Sequence, residues 1–221
     1  MKSLLTLLLL LGLKGFSQEL PNFKVPAGYT LVDQAEGDLD KDGAKEIVYA
    51  YNTTHNNGEK GFNRELYICK RMGGQLKLWK KNTTVLWKSK DCGFYASEGV
   101  PFELSVNNNT LIISQTFFHN SRHTSMFKSI FRYQNNDWYL IGSTYSNADN
   151  CDWDFTYDVN FSTNKVEISE TYGSCDGDDK PVPKDEFFKF RYVFKQIPKM
   201  DGFIPGKTEV KIPNSKKFFV Y

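Results

Sequence analysis

The sequence lacks the features that mark several large classes of protein. A membrane-spanning helix needs about 20 apolar residues, and the main apolar run, Leu4–Leu13, has 10 residues interrupted by Thr6 and Gly12. Apolar residues seldom recur at helical spacing, and no segment repeats at a fixed period. These absences argue against a helical bundle, a membrane-spanning helical protein and a full β-propeller.

Residue patterns that support catalysis are also scarce. The chain has three histidines, and neither Ser97-Glu98-Gly99 nor Gly142-Ser143 has the glycine frame of a nucleophile elbow. There is no C-x-x-C spacing, which argues against a metal site built from thiolates. A serine hydrolase is therefore disfavoured, whereas paired carboxylates for glycan hydrolysis stay open because linear spacing cannot identify them.

The N-terminus has the form of a secretory signal peptide. Lys2 provides a positive start, the run Leu4–Leu13 an apolar centre, and Gly15 and Ser17 the small residues before a cut after Ser17. Residues 1–17 are therefore predicted to be a signal peptide and residues 18–221 one β-rich domain, located in the periplasm or outside the cell.

Removal of this leader changes the charge balance. Lys2 and Lys14 leave with it and no acidic residue does, so 26 basic residues face 26 acidic ones. A neutral chain lacks the basic excess that binds nucleic acid or an anionic membrane surface. Nucleic acid is therefore not expected as a partner, and no membrane segment is expected after cleavage.

Alternating and β-branched or aromatic segments predict an all-β fold. Turn sequences rich in Asn and Gly separate them, as in Asn107-Asn108-Asn109 and Met72-Gly73-Gly74. The expected architecture is an antiparallel meander, sandwich or propeller-like sheet. Predicted strands cover Glu46–Tyr51, Glu65–Lys70, Gln75–Trp79, Thr84–Trp87, Phe102–Val106, Thr110–Thr116, Met126–Tyr133, Trp138–Thr144, Asp154–Phe161, Lys165–Thr171, Phe187–Gln196, Glu209–Ile212 and Lys217–Val220.

The four cysteines are predicted to form two local disulfides. Export permits disulfides, and four cysteines allow three pairings. Cys151 and Cys175 flank a hairpin with its turn at Ser162–Lys165, and Cys69 and Cys92 flank a hairpin predicted near Lys80–Asn82.

The segment Asp38–Glu46 has the pattern of a calcium-binding loop. Asp38, Asp40 and Asp42 alternate and precede Gly43, so a tight turn can bring three carboxylates to one side. The Ala44 carbonyl and the Glu46 carboxylate can complete an oxygen shell, which suits Ca²⁺ better than Mg²⁺ because Mg²⁺ demands a near-ideal octahedron. A solvated acidic turn is the alternative.

This loop is not an EF-hand, because Tyr49 stands where an EF-hand has its twelfth-position glutamate and a strand follows instead of a helix. It resembles the calcium loops of FG-GAP and VCBS-type repeats, in which D-x-D-x-D-G-x-x-D precedes an apolar strand. Glu46 replaces the last Asp, and only one copy occurs. The mature chain also resembles exported bacterial proteins of unknown role that carry one such loop and a strand pair like Phe131–Gly142.

Two further clusters are interpreted as surface features. His119 and His123 have the i, i+4 spacing of helical zinc ligands, but their neighbours predict a strand and a turn, which favours an exposed loop. Two acidic groups meet in space if Cys151 bonds Cys175. Solvated loop charge is the favoured interpretation, and a second cation site or a patch for a basic partner are the alternatives. The members of the two groups are Asp149, Asp152, Asp154, Asp176, Asp178 and Asp179.

Together these features predict a secreted or periplasmic calcium-binding β protein. The missing catalytic patterns favour a non-catalytic module that recognises a protein or a glycan at the cell envelope. An envelope glycan hydrolase and an inhibitor or immunity-type protein are the alternatives.

Overall fold

The computed structural model describes residues 19–94, 102–175 and 181–221. The predicted leader, residues 1–17, lies outside these ranges. Within them the chain forms strands joined by turns and irregular loops, and the helical structure is one 3₁₀ turn, Gly58–Lys60. The all-β prediction is therefore confirmed. No helix in the described ranges is long and apolar enough to cross a membrane.

The first sheet has four antiparallel strands in the order β1-β2-β3-β4. Gly73 and Gly74 close the β3–β4 hairpin with φ values of 58° and 75°. Glycine adopts this left-handed backbone without a steric penalty, so a two-residue turn is possible. The strands are β1 (Thr30–Gly37), β2 (Glu46–Asn56), β3 (Phe62–Met72) and β4 (Gln75–Asn82).

The second sheet is an antiparallel meander of seven strands in the order β11-β10-β9-β8-β7-β6-β5. Asn108, Asn109, Asn135 and Asn136 have positive φ at two of its hairpin turns, as the Asn-rich turn sequences predict. The strands are β5 (Phe102–Asn107), β6 (Thr110–Phe118), β7 (His123–Gln134), β8 (Asp137–Asp149), β9 (Trp153–Asn160), β10 (Lys165–Tyr172) and β11 (Glu186–Arg191).

A short hairpin near the C-terminus, β12 (Glu209–Lys211) with β13 (Phe218–Val220), confirms two predicted strands. The predicted strand Thr84–Trp87 is wrong. The Asn82 side chain accepts hydrogen bonds from the N–H groups of Thr84 and Val85. The Trp87 N–H donates to the Gln115 side chain, so side chains replace a neighbouring strand here.

One hydrophobic cluster contains residues of both large sheets. Leu66 and Ile68 on β3 lie in it with Leu111 on β6, Phe131 on β7 and Leu140 on β8. All five are buried. Burial of such side chains contributes about 1.5–3 kcal/mol each, so the sheets stabilise each other through one shared core.

The disulfide prediction is half right. Cys151 and Cys175 are bonded, with 5.0 Å between their Cα atoms, because the β9–β10 hairpin brings its two flanks together. Cys69 and Cys92 are free and buried, so the second predicted disulfide is wrong.

Strand geometry explains the error over Cys69 and Cys92. The β3–β4 hairpin turns at Gly73–Gly74, not near Lys80–Asn82. Cys69 packs in the aromatic cluster with Tyr51 and Tyr67, whereas Cys92 lies near Arg64, whose charge acts on the pKa of the Cys92 thiol. Arg64 and Cys69 are five positions apart on β3, about 17 Å along a strand, and they point to opposite faces. A disulfide requires Cα atoms within about 7 Å.

Gly37, the last residue of β1, lies directly against β5 of the second sheet. A Cβ atom at Gly37 would stand 2.5 Å from a Val106 methyl group. Gly37→Ala is therefore expected to lower the free energy of unfolding by about 1–3 kcal/mol through overpacking. Urea denaturation measures this loss. Val106→Ala removes the methyl groups that the new Cβ would meet, so the double variant Gly37→Ala/Val106→Ala should recover part of the lost stability. If the losses of the two single variants simply add in the double variant, the predicted contact is wrong.

Candidate metal centre

The Asp-rich segment forms the loop of the β1–β2 hairpin. β1 ends at Gly37 and β2 begins at Glu46, and these two residues are paired across the hairpin. One carboxylate oxygen from each of Asp38, Asp40 and Asp42 lies within 4.8 Å of the other two. The alternation in the sequence thus becomes a cluster of three carboxylates at one end of the first sheet.

Hydrogen bonds from the loop backbone fix the orientation of these carboxylates. Asp38 accepts from the N–H groups of Lys41 at 2.6 Å and Gly43 at 3.2 Å. Asp42 accepts from the Ala44 N–H at 2.8 Å, and this bond lowers the pKa of Asp42. Gly43 has a φ of 87°, as the sequence predicts for this turn.

Glu46 is the buried member of the group. Its side chain is 1% exposed, and Oε2 accepts a 2.7 Å hydrogen bond from the Leu39 N–H. Burial raises the pKa of Glu46 above its ordinary value, although this hydrogen bond and Lys70 oppose the rise. Leu39 itself lies in the hydrophobic core. The loop is therefore anchored at its middle by an apolar side chain and at its end by a buried carboxylate.

Lys70 on β3 supplies the positive charge of this site. Its ammonium group contacts Asp40 and lies 3.3 Å from Asp42 and 3.5 Å from Glu46. It also lies 4.4 Å from the centre of the Trp79 ring. Burial alone would lower the pKa of Lys70, but the carboxylates outweigh it and raise the pKa. The loop thus already attracts a cation that belongs to the chain itself.

The donor set fits a hard divalent cation. The three clustered carboxylates of Asp38, Asp40 and Asp42 and the neighbouring carboxylate of Glu46 outnumber the one ammonium group of Lys70. The predicted role of Glu46 as a ligand stays a prediction, because Glu46 lies outside the three-residue cluster. The side-chain donors of the site are all oxygen atoms, which Ca²⁺ prefers. Ala44 is exposed, and its N–H orients Asp42. Its predicted role as a carbonyl ligand stays a prediction.

The loop is also connected to the second sheet. Asn109, in the β5–β6 turn, donates a 2.7 Å hydrogen bond from its side chain to the Asp38 carbonyl. Asp33 on β1 accepts a 2.7 Å bond from the Leu104 N–H on β5. A cation in the loop would therefore stabilise a junction between the sheets as well as the hairpin.

The histidines and the second acidic group do not form another metal cluster in the described part of the chain. The His119 and His123 rings stack at 3.9 Å across a strand end, and Asp149 and Asp152 pair with Arg122. Asp176, Asp178 and Asp179 lie outside the described residues. Among those described, Asp38, Asp40 and Asp42 are the single group placed to hold a metal.

Sequence reasoning missed three residues that shape the site: Leu39, Lys70 and Asn109. Leu39 had a local signal, an apolar residue between two aspartates. Lys70 and Asn109 had none, because they reach the loop only through sheet pairing and sheet packing.

No protein family, curated protein or solved structure matches this chain. The interpretation of the site therefore depends on its own chemistry.

Proposed function

We propose that the loop Asp38–Glu46 binds Ca²⁺ and that the ion braces the β1–β2 hairpin against the rest of the fold. The observation that carries this proposal is the cluster of Asp38, Asp40 and Asp42 oxygens within 4.8 Å, beside the carboxylate of Glu46. The resemblance to FG-GAP and VCBS-type calcium loops supports the same ion.

The proposed role of the protein is that of an exported, non-catalytic binding module of the cell envelope. The leader-like residues 1–17 support export, and the Cys151–Cys175 disulfide fits an oxidising compartment. Extracellular calcium modules work with dissociation constants of about 10⁻⁴–10⁻³ M. A loop already partly neutralised by Lys70 suits such modest affinity, since its role is to brace the fold and not to sense small changes of concentration.

Calcium titration of the mature protein tests the proposal. Isothermal titration calorimetry should give one site with a dissociation constant of about 10⁻⁴ M. At 1 mM Ca²⁺ this affinity adds about 1.4 kcal/mol to the free energy of unfolding. Asp40→Asn removes one carboxylate charge while it preserves the side-chain shape, so it should weaken binding at least about tenfold, the equivalent of about 1.4 kcal/mol.

Glu36→Gln is the matched control, because Glu36 is a nearby acid whose ion pair is with Lys45, outside the cluster. It should bind Ca²⁺ like the unaltered protein. Absence of binding heat, together with melting curves that do not respond to Ca²⁺ or to chelator, would refute the proposal.

A further inference from the structure

The residues on one side of the second sheet change from core residues at one end of the strands to half-buried aromatic and polar residues at the other. At one end this side carries the core residues Leu111, Phe131 and Leu140. At the other end the same side carries a different set, which we call the distal face: His123, Tyr145, Asn147, Trp153, Phe155 and Tyr157. Strand register places them together, with Asn147 beside Phe155 and Tyr145 beside Tyr157.

The rings of the distal face are neither buried nor fully exposed. All six of its side chains fall in the half-buried class. The rings form two groups. Tyr145 and Tyr157 lie with their centroids 5.5 Å apart, and Trp153 lies 5.1 Å from His123 and 6.3 Å from Phe155.

Asn147 connects the two groups of rings through hydrogen bonds. Its Oδ1 accepts a 2.7 Å hydrogen bond from the Trp153 indole, and its Nδ2 donates to the Tyr145 hydroxyl at 2.6 Å. His123 Nε2 lies 3.1 Å from the same Oδ1, and Ser125 Oγ lies 3.1 Å from Nδ2. Asn147 is thus a positioning residue that orders the rings before any ligand arrives, which reduces the entropy lost on binding.

The charges around the distal face are paired within the chain. Arg122 pairs with Asp149 at 2.8 Å, and Lys217 pairs with the buried Glu170. Glu170 also accepts a 2.8 Å hydrogen bond from the Tyr157 hydroxyl. A polyanion would meet these carboxylates without a free cation among the described residues of the face, so the charge pattern favours a neutral ligand.

A cavity of about 430 Å³ opens at the strand ends beside the disulfide. Its lining includes Asp149, Trp153 and Tyr172 on the side of the distal face. It also includes Ala148, Asp154 and Thr171, which strand register places on the opposite side. Its volume lies within the range of about 300–1,000 Å³ that is usual for small-ligand sites. The face therefore has two groups of ordered rings with polar groups between them, and a cavity adjoins it at the strand ends.

We propose that the distal face binds a neutral oligosaccharide. The C–H groups of a sugar ring match the electron-rich faces of the aromatic rings, and its hydroxyl groups match the imidazole, phenol and carboxylate groups between them. This inference rests on the proposed role as an envelope binding module and names its ligand class. It is independent of the calcium loop, which lies on the other sheet.

The test uses the full mature protein with four neutral hexasaccharides and one anionic control. The neutral probes are β-1,4-glucose, β-1,3-glucose, α-1,4-glucose and β-1,4-N-acetylglucosamine hexamers, and the control is a galacturonic acid hexamer. Calorimetry should show saturable binding of at least one neutral probe. Trp153→Ala should reduce that affinity about two- to tenfold, since an aromatic contact is worth about 0.5–1.5 kcal/mol.

Two further variants keep the test decisive. Phe187→Ala removes an exposed ring that register places on the opposite side of the same sheet, so it should bind like the unaltered protein. Asn147→Leu retains the rings but removes their hydrogen bonds to Asn147. This variant should bind the sugar more weakly, and its melting temperature should stay within a few degrees of that of the unaltered protein. If Trp153→Ala does not fold, the affinity of Asn147→Leu for the sugar tests the inference instead.

The inference is overturned if no neutral hexamer binds, if only the anionic control binds, or if Phe187→Ala weakens binding as much as Trp153→Ala. Capture of a protein partner by the same face, without sugar binding, also overturns it. Calcium titrations run in parallel separate the two proposals. Sugar binding without calcium binding would support the proposed sugar site and refute the proposed calcium site. Calcium binding without sugar binding would support the calcium site and refute the sugar site.

Discussion

Lys70→Met should bind Ca²⁺ at least about tenfold more tightly than the unaltered protein and should be less stable without the ion. The ammonium group of Lys70 contacts Asp40 and lies within 3.5 Å of Asp42 and Glu46. It therefore acts as a tethered competitor for the carboxylates that the proposed calcium site needs. Methionine keeps the apolar stem of the side chain, is one heavy atom shorter and removes the charge.

The cost of this substitution follows from the charges left behind. Removing one partner of a buried ion pair costs about 3–5 kcal/mol. The Lys70 side chain is 16% exposed, so we expect a smaller loss of about 2 kcal/mol in chelator. Saturating Ca²⁺ should restore this loss, because a divalent ion then neutralises Asp40, Asp42 and Glu46.

Calorimetry and urea denaturation, each with and without chelator, measure the two effects. Lys45→Met is the matched control, since the Lys45 ammonium pairs with Glu36 on the outside of the same hairpin. That variant should change neither property appreciably. If Lys70→Met bound Ca²⁺ no more tightly than the unaltered protein, Lys70 would be a structural partner of the loop and not a competitor.

Loss of the Cys151–Cys175 disulfide should lower the free energy of unfolding by about 3 kcal/mol. The bond joins residues 24 positions apart, and the main effect of such a cross-link is to restrict the unfolded chain. The double variant Cys151→Ser/Cys175→Ser and reduction of the unaltered protein should give losses of similar size in urea denaturation.

The response to reductant separates the observed pairing from the predicted one. With Cys69 and Cys92 free, the double variant should be indifferent to reductant, and the denatured unaltered protein should show two reactive thiols. A double variant that still loses stability on reduction would reveal a second disulfide and contradict the free, buried state of these cysteines.

The features predictable from the sequence were those fixed by local chemistry. Gly73 and Gly74 define their turn because the backbone there needs positive φ, and the Asn-rich turns of the second sheet follow the same rule. The Asp loop was predictable for the same reason, because all three carboxylates and Gly43 lie within six residues.

Features decided by distant residues were not predictable in this way. Strand β1 was missed because it is an edge strand with mixed polarity, and Leu31 is exposed. The segment Thr84–Trp87 looks like a strand, but Asn82 and Gln115 supply its hydrogen bonds. The distal face needs the register of neighbouring strands before Trp153, Asn147 and Tyr145 come together.

The strand order also has a consequence for how the chain folds. In both large sheets each strand pairs with the strand next to it in sequence, so pairing can proceed hairpin by hairpin with little loop-closure entropy. Longer-range steps, such as the bond from Asn82 to the Met200 carbonyl, can follow once the sheets exist. Pairing of neighbours in the sequence would limit the time that a newly made chain exposes unpaired strand edges to aggregation.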